Sequence, residues 1–258
     1  MIDSSVRGRV AILQVRNPPV NALSPGVPEA LMKAVSEAER NPAVESIVIM
    51  GGGTTFIAGA DITTLEQAAW QDPGAAPDMH DMLTRIENCS KPIVMAIHGT
   101  ALGGGLELAM AGHFRVASAG ALLGQPEVNL GIIPGAEGTQ RLPRLVGIAK
   151  ALDMCVTGRP VTAAEAFAAG LIDATFDGDL AERATAFAEA AAGRERPKTS
   201  DRRNRLGNAE ENAPLYAAAR AQAAKTRRNQ VAPLKVVDAI EAAATLPFPD
   251  GCRREREL

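Results

Sequence analysis

Apolar and polar positions along this chain fall into two alternating rhythms. Val10-Ala11-Ile12-Leu13-Gln14-Val15 is a short apolar run stopped by Asn17-Pro18-Pro19, the pattern of a strand. From Pro28 to Arg40 the spacing is helical, with Leu31, Ala34, Val35 and Ala38 on one face. Ser46-Ile47-Val48-Ile49-Met50 is nearly continuous in apolar residues, as in a strand covered on both faces, and Gly51-Gly52-Gly53 ends it. Helical spacing returns over Asp81 to Asn88, and Pro92 to Ile97 reads as a second buried strand. A helix begins around Glu107 to Ala111, and Phe114-Arg115-Val116-Ala117 is a third strand. Strands alternating with helices predict an α/β architecture with crossover connections.

Beyond about Gly170 the character changes. Leu180 to Ala192 is alanine-rich and helical, and helical patterns resume over Ala213 to Lys225 and Leu234 to Ala244. The pattern divides into a mixed core over residues 1–190 and a helical C-terminal region over 191–258, with no internal repeat. Between them, Gly193 to Asn208 carries Arg194, Arg196, Lys198, Arg202, Arg203 and Arg205. Such a stretch reads as a solvated linker or helix face, with a site for a ligand's phosphates as the sharper alternative. The final Arg253-Arg254-Glu255-Arg256-Glu257-Leu258 reads as a charged helical stub without a stop signal, either a frayed terminus or a chain that continues.

Composition narrows the partners. Aromatic residues are only 3% of the chain, so the core must rest on Ala, Val, Leu and Ile. The net charge of −3 gives no attraction to nucleic acid. Cys89, Cys155 and Cys252 are scattered and have no metal-ligand spacing, which fits buried thiols in a reducing compartment. With His80, His98 and His113 equally dispersed, no metal site is expected. The first residues lack the layout of a signal peptide, and no apolar run approaches the roughly 20 residues that span a bilayer. A cytoplasmic protein without membrane contact is the expectation.

The candidate chemistry lies in two glutamates in glycine-rich settings. Glu107 closes Gly103-Gly104-Gly105-Leu106-Glu107 at a helix start, and Glu127 closes Gly124-Gln125-Pro126-Glu127. Glycines at a helix N-terminus leave backbone amides open to a ligand. A second loop, Phe56-Ile57-Ala58-Gly59-Ala60-Asp61-Ile62, has the same small-residue character, with Asp61 placed to cap a following turn. Two loops that each offer one amide can grip a single oxygen, and losing one such donor costs about 3 kcal/mol of barrier. Glu107 in a first helical turn is favoured in its ionised form by the helix dipole, which suits a base; Glu127 on a loop suits a proton donor. Taken singly, each glutamate is better read as a capping or surface carboxylate; the two together, each beside close-approach glycines, point to catalysis.

Several segments together carry a family resemblance. These are Ala58 to Ile62, His98-Gly99 through Gly103-Gly104-Gly105-Leu106-Glu107-Leu108-Ala109, Gly124 to Glu127, and Gly131-Ile132-Ile133-Pro134-Gly135-Ala136-Glu137-Gly138-Thr139-Gln140-Arg141-Leu142. Asn17 to Leu23 and Leu152 to Gly158 fit as well. In this order they resemble the enoyl-CoA hydratases of the crotonase superfamily. The resemblance implies a spiral of ββα units with a helical C-terminal region, assembling as trimers or paired trimers. It implies an oxyanion hole from the amides of Ala60 and Gly104, and a water held between Glu107 and Glu127. Glu107 would activate that water for attack at C3, and Glu127 would exchange its proton with C2. Ala58, Gly59, Asp61, Ile62, Gly103, Pro134 and Gly135 would line the acyl-CoA thioester, and the stretch Leu65 to Met82, with Trp70, the acyl chain. Coenzyme A belongs to the substrate, so neither metal nor other cofactor is implied.

Gly112-His113-Phe114-Arg115 and Thr245-Leu246-Pro247-Phe248-Pro249-Asp250-Gly251 further resemble the hydratase part of multifunctional fatty-acid β-oxidation enzymes, and Gly135-Ala136-Glu137-Gly138 replaces the family's more usual pattern, which has a second glycine. The basic residues near a phenylalanine that end single-function hydratases are not found here. No dinucleotide fingerprint is present either, since the triple glycine runs into Leu106-Glu107 without a suitably placed acid. Two alternatives to hydration remain, a Δ3-Δ2 enoyl-CoA isomerase and a non-catalytic acyl-CoA binder. Isomerisation needs one carboxylate and binding needs none, so the pair favours hydration.

Overall fold

The computed structural model describes residues 1–59 and 79–258. Two sheets and a set of helices alternate along the chain. The strands are β1 (Ile2–Arg7), β2 (Val10–Val15), β3 (Ser46–Gly51), β4 (Ile93–Ile97), β5 (Thr100–Leu102), β6 (Phe114–Ser118), β7 (Leu122–Gly124), β8 (Val161–Thr162) and β9 (Ala174–Phe176). The described helices are α1 (Val27–Arg40), α2 (Met79–Glu87), α3 (Gly104–Ala111), α4 (Gly138–Val146), α5 (Ile148–Thr157), α6 (Ala163–Ala169) and α7 (Leu180–Ala191). They continue with α8 (Ala209–Thr226), α9 (Ala232–Thr245) and α10 (Phe248–Glu257).

The larger sheet runs β1-β2-β3-β4-β6-β9 and the smaller β5-β7-β8. Chain order explains the spiral. β4 in the large sheet is followed by β5 in the small one and then α3; β6 is followed by β7 and, after a 3-10 turn at Glu127–Leu130, by α4. An isolated parallel bridge from Ile57 to Ala101 extends the small-sheet layer back to the loop after β3. β2, β3, β4, β6 and β9 are parallel neighbours, as crossover helices require, and among the described strands only β1 joins the large sheet antiparallel.

Both faces of the large sheet are covered, which is why its strands read as continuous apolar runs. Leu13, Ile47, Ile49, Ile93, Met95 and Ile97 belong to the main core. Ile12, Val48, Val94, Ala96 and Val116 point the other way, against Leu180, Ala184, Ala188 and Ala191 of α7. The strands expected at Val10, Ser46, Pro92 and Phe114 are found within a residue of those starts.

Three expectations need correction or refinement. β1 gave no signal because it is a polar, largely exposed edge strand, held by backbone pairing with β2, an Asp3–Arg16 ion pair and Ile2 against the core. The basic stretch from Gly193 to Asn208 is a largely exposed linker, as expected, but it is not loose: it is pinned to the body. Thr199 and Leu206 are buried, Thr199 Oγ1 donates to Met110 O at 2.8 Å, and the Ser200 amide donates to Glu87 Oε1 at 3.0 Å. The terminal stub is not frayed either. α10 seats Phe248 between the guanidinium groups of Arg141 and Arg144, at 5.0 and 4.9 Å, and buries Glu255. α9 in turn lies against α4, α5 and α8. Among the described residues, no helix is long and apolar enough to cross a membrane.

Candidate active site

α3 starts where β5 ends, and the glycines there permit the turn. Gly103 has φ +53° and ψ −126°, a conformation that L side chains rarely adopt. A Cβ on it would also stand 3.0 Å from Glu127 Oε1 and 3.9 Å from Gly59 Cα. So the Gly59 loop, the triple glycine and Glu127 meet at one point. The Gly59 loop is held there by the Leu23 amide, which donates to Gly59 O at 2.9 Å, and by the Ala58 amide, which donates to Val20 O at 3.1 Å. On the other side, the Gly103 amide donates to Gly124 O at 2.9 Å and ties α3 to the strand leading to Glu127. Gly104 is the first residue of α3, where helix amides lack an intrahelical acceptor.

Glu107 is one turn into α3 and only 3% exposed. Its Oε1 accepts from the amides of Ala136 and Gly138, each at 2.9 Å. Among the described residues its Oε2 accepts no hydrogen bond, leaving that oxygen for a water. Gly138 has to be glycine, because a Cβ there would lie 2.5 Å from Glu107 Oε1 and 2.6 Å from Pro134 Cβ. Glu127 opens the 3-10 turn. The fully buried Gln125 links it to the Gly138 side. With its amide oriented to satisfy both ends, Gln125 donates to Glu127 Oε1 at 3.0 Å and Oε2 at 3.3 Å.

Electrostatics separate the two carboxyls from ordinary ones. Burial, the largest influence, pushes Glu107 up to about 7, against the pull of the Ala136 and Gly138 amides, with Glu137 raising it further and His80 lowering it. The ionised base expected from the helix dipole is therefore corrected: desolvation outweighs dipole and amides and poises Glu107 near neutrality. Glu127 retains some solvent contact, yet its carboxyl is deep enough for burial to dominate, and the nearby Glu107 adds to the push. It lies well above the usual carboxylate range. Such a pair favours holding one proton between them.

A buried ion network braces this centre. Arg141, 1% exposed, donates from Nε to Glu137 Oε2 at 2.7 Å and from Nη1 to Glu87 Oε1 at 2.6 Å. Glu137 also contacts His80 Nδ1 at 3.1 Å. Although burial raises Glu87, the Arg141 guanidinium overcomes it and holds Glu87 below its ordinary value. Glu137 sits at φ +68°, the left-handed conformation that favours glycine. Its pairing with Arg141 and His80 accounts for a glutamate where the resembled pattern has a glycine.

Of the residues singled out from sequence, Gly59, Gly103, Glu107, Glu127 and Pro134 converge here, Gly104 beginning α3 beside them and Ala58 within the Gly59 loop. Gly135 stands exposed on the loop after Pro134. Ala60, Asp61, Ile62 and Trp70 lie outside the described residues. Sequence reasoning missed Gln125, the amides of Ala136 and Gly138, Arg141 and Glu255. Gln125 stood inside a quoted motif, whereas a main-chain amide carries no side-chain signal. Among the described residues no group of His, Cys, Asp or Glu could hold a metal ion.

Comparison with known proteins agrees with this geometry. Residues 6–202 match the family described as enoyl-CoA hydratase/isomerase. The chain is 46% identical over 191 residues to a probable enoyl-CoA hydratase of Bacillus subtilis, covering 72% of this chain and 74% of that protein. It is 43% identical over 258 residues to the peroxisomal bifunctional enzyme of Danio rerio, covering 98% of this chain but 34% of that longer protein. The chain thus spans about a third of the length of that bifunctional relative. The crystal structure of an enoyl-CoA hydratase from Thermoplasma volcanium superposes with a TM-score of 0.69 at 27% identity, over 98% of this chain and 88% of that one. The fold is the crotonase fold. With its spiral and both glutamates in place, the chain belongs to the enoyl-CoA hydratase/isomerase family.

Proposed function

We propose that the chain is a 2-enoyl-CoA hydratase, adding water across the C2–C3 double bond to give a 3-hydroxyacyl-CoA in fatty-acid β-oxidation. One observation carries the reading: two glutamates with raised pKa values share one buried centre beside the Gly59 and Gly103 loops. Glu107, anchored through one oxygen by the Ala136 and Gly138 amides, accepts a proton from the water as the water's oxygen attacks C3. Glu127, held protonated by burial, gives its proton to C2. A proton passing from Glu107 to Glu127 then restores the pair, so the substrate gains OH at C3 and H at C2 with nothing left over. The thioester oxygen gathers negative charge as C3 is attacked, and the amides of Gly104 and Ala60 are assigned to it. Ala58, Asp61, Ile62, Gly103, Pro134 and Gly135 are assigned to the substrate's surroundings. Coenzyme A enters as part of the substrate, and the reading needs no further cofactor.

The resemblance of residues 112–115 and 245–251 to multifunctional enzymes supports the placement in β-oxidation. Trimers or paired trimers belong to the same reading, and light scattering on the assayed sample reports them. The test is loss of the conjugated-enoyl absorbance when purified protein meets 2-enoyl-CoAs of graded length. Tight acyl-CoA binding without turnover at every length would leave the non-catalytic reading instead. Isomerisation is read separately, as formation of a 2-enoyl-CoA from a 3-enoyl-CoA.

The pKa shifts also fix a pH profile. kcat/KM should rise as the pair gives up its first proton, near the Glu107 value of about 7, and fall at higher pH as the pair gives up the second. A profile flat from pH 5 to 9 would contradict the assignment of base and acid.

A further inference from the structure

The segment Ala136–Thr139 presents four consecutive amides to two carboxylates in strict alternation. Those of Ala136 and Gly138 donate to Glu107 Oε1. Those of Glu137 and Thr139 donate to Glu255, at 2.7 Å to Oε1 and 3.0 Å to Oε2, and the Thr139 hydroxyl donates to Oε2 as well. Glu255 comes from α10, more than a hundred residues along the chain. Its helix is seated by one face: Phe248 between Arg141 and Arg144, Gly251 packed so closely on Gln140 that a Cβ would collide, and Glu255 one turn further.

We propose that Glu255 is a positioning residue for Glu107, fixing the segment whose alternate amides hold the catalytic carboxylate. The proposal rests on the hydratase reading for its consequence in turnover. A simple cap for α4 would need only a neutral acceptor. Here a carboxyl 2% exposed is pushed up to about 8, by burial first and by the charge of Glu107 second. Burying a carboxyl at such depth beside Glu107 costs free energy, charged or neutral, that a simple cap does not require. What the carboxyl provides is rigidity: with Glu255 in place neither face of the segment can turn, so Glu107 Oε2 stays aimed at the water. Misplacing a catalytic group by about 1 Å costs up to about 100-fold in rate.

The test compares the full-length protein with Glu255→Gln, in which a side-chain NH2 replaces the oxygen that faces Thr139. In the hydratase assay, kcat should fall about 10- to 100-fold with KM within about twofold, at temperatures where circular dichroism shows native protein. Amide exchange followed by NMR should quicken at least about tenfold at Ala136 and Gly138, not only at Glu137 and Thr139. Phe248→Leu, which loosens α10 as a whole, should lower Tm, and kcat should fall only as far as exchange at Ala136 and Gly138 quickens. If Glu255→Gln does not fold, Thr139→Val removes the hydroxyl that donates to Glu255 and accepts from Gln140 Nε2, and should shift kcat and the Ala136 and Gly138 amides in the same direction, about threefold. Unchanged protection at Ala136 and Gly138 would overturn the proposal. So would a kcat that falls only in step with Tm in both helix variants. A wild-type protein inactive on every 2-enoyl-CoA would strike the hydratase reading alone, and amide exchange would still decide the role of Glu255.

Discussion

Glu127→Gln lowers kcat for a 2-enoyl-CoA by about 10³-fold, and Glu107→Gln does the same. Each variant keeps the shape of the side chain and removes its capacity to exchange a proton. Because the two groups act on one water in one step, the double variant should be little worse than either single one. KM should stay within a few-fold, since neither carboxylate is needed to bind the thioester. The variants should also be at least as stable as wild type. Both glutamates have folded pKa values above their unfolded ones, so the stability each contributes is present at low pH and is lost as pH rises through the folded value. Glutamine does not suffer that loss, so the stability gap in its favour should open as pH rises from the ordinary carboxylate value of 4.5 towards the folded value of about 7 for Glu107. Full hydratase activity in either variant would remove that residue from the mechanism. A variant that lost hydration but still converted a 3-enoyl-CoA would show that one carboxylate serves a second, isomerase activity.

Arg141→Met is the larger structural lesion. The guanidinium is buried between Glu87 and Glu137 and lies over the Phe248 ring. Removing it strands two buried carboxylates, a defect that costs about 3–5 kcal/mol. For a chain of this size that lowers Tm by about 10 °C or more. The pH dependence carries the signature. Arg141 holds the Glu87 pKa below its ordinary value, so this stabilisation is present above the unfolded carboxylate value and disappears as pH falls through the folded one. Wild type and variant should therefore converge in acid and separate at neutral pH. A constant gap across pH would mean that Arg141 acts through packing on Phe248 alone.

How far the sequence foretold this structure depends on where each contact lies along the chain. The large sheet was legible because burial on both faces writes continuous apolar runs at Ser46–Met50 and Pro92–Ile97. β1 was not, since Ile2–Arg7 buries almost nothing and owes its place to backbone pairing. α8 was expected from Ala213, yet it begins at Ala209 behind a capping box of Asn208 and Glu211, a signal present in the sequence and overlooked. α10 looked like a frayed stub because its surface is charged. The residues that dock it, Phe248, Gly251 and Glu255, make sense only against α4, which lies far away in sequence.

The site divides in the same way. Glu107 and Glu127 could be found because each ends a local glycine-rich motif. Their raised pKa values could not, since burial is a property of the assembled core, and the helix dipole taken alone pointed to the opposite charge state. The amides of Ala136 and Gly138 were equally hidden, as was the reason for glycine at 138, which is the oxygen of a glutamate from another helix. Glu137 was visible only as a departure from the resembled pattern. Its left-handed backbone and its bond to Arg141 supply the physical reason.

The most direct test follows the oxygen. Purified wild-type protein incubated with a 2-enoyl-CoA in ¹⁸O-water should yield a 3-hydroxyacyl-CoA heavier by the isotope difference, with the label on C3, and Glu107→Gln and Glu127→Gln should yield almost none. A substrate that binds but emerges unlabelled and unchanged, or a labelled product formed equally well by both variants, would contradict hydration by this pair of glutamates.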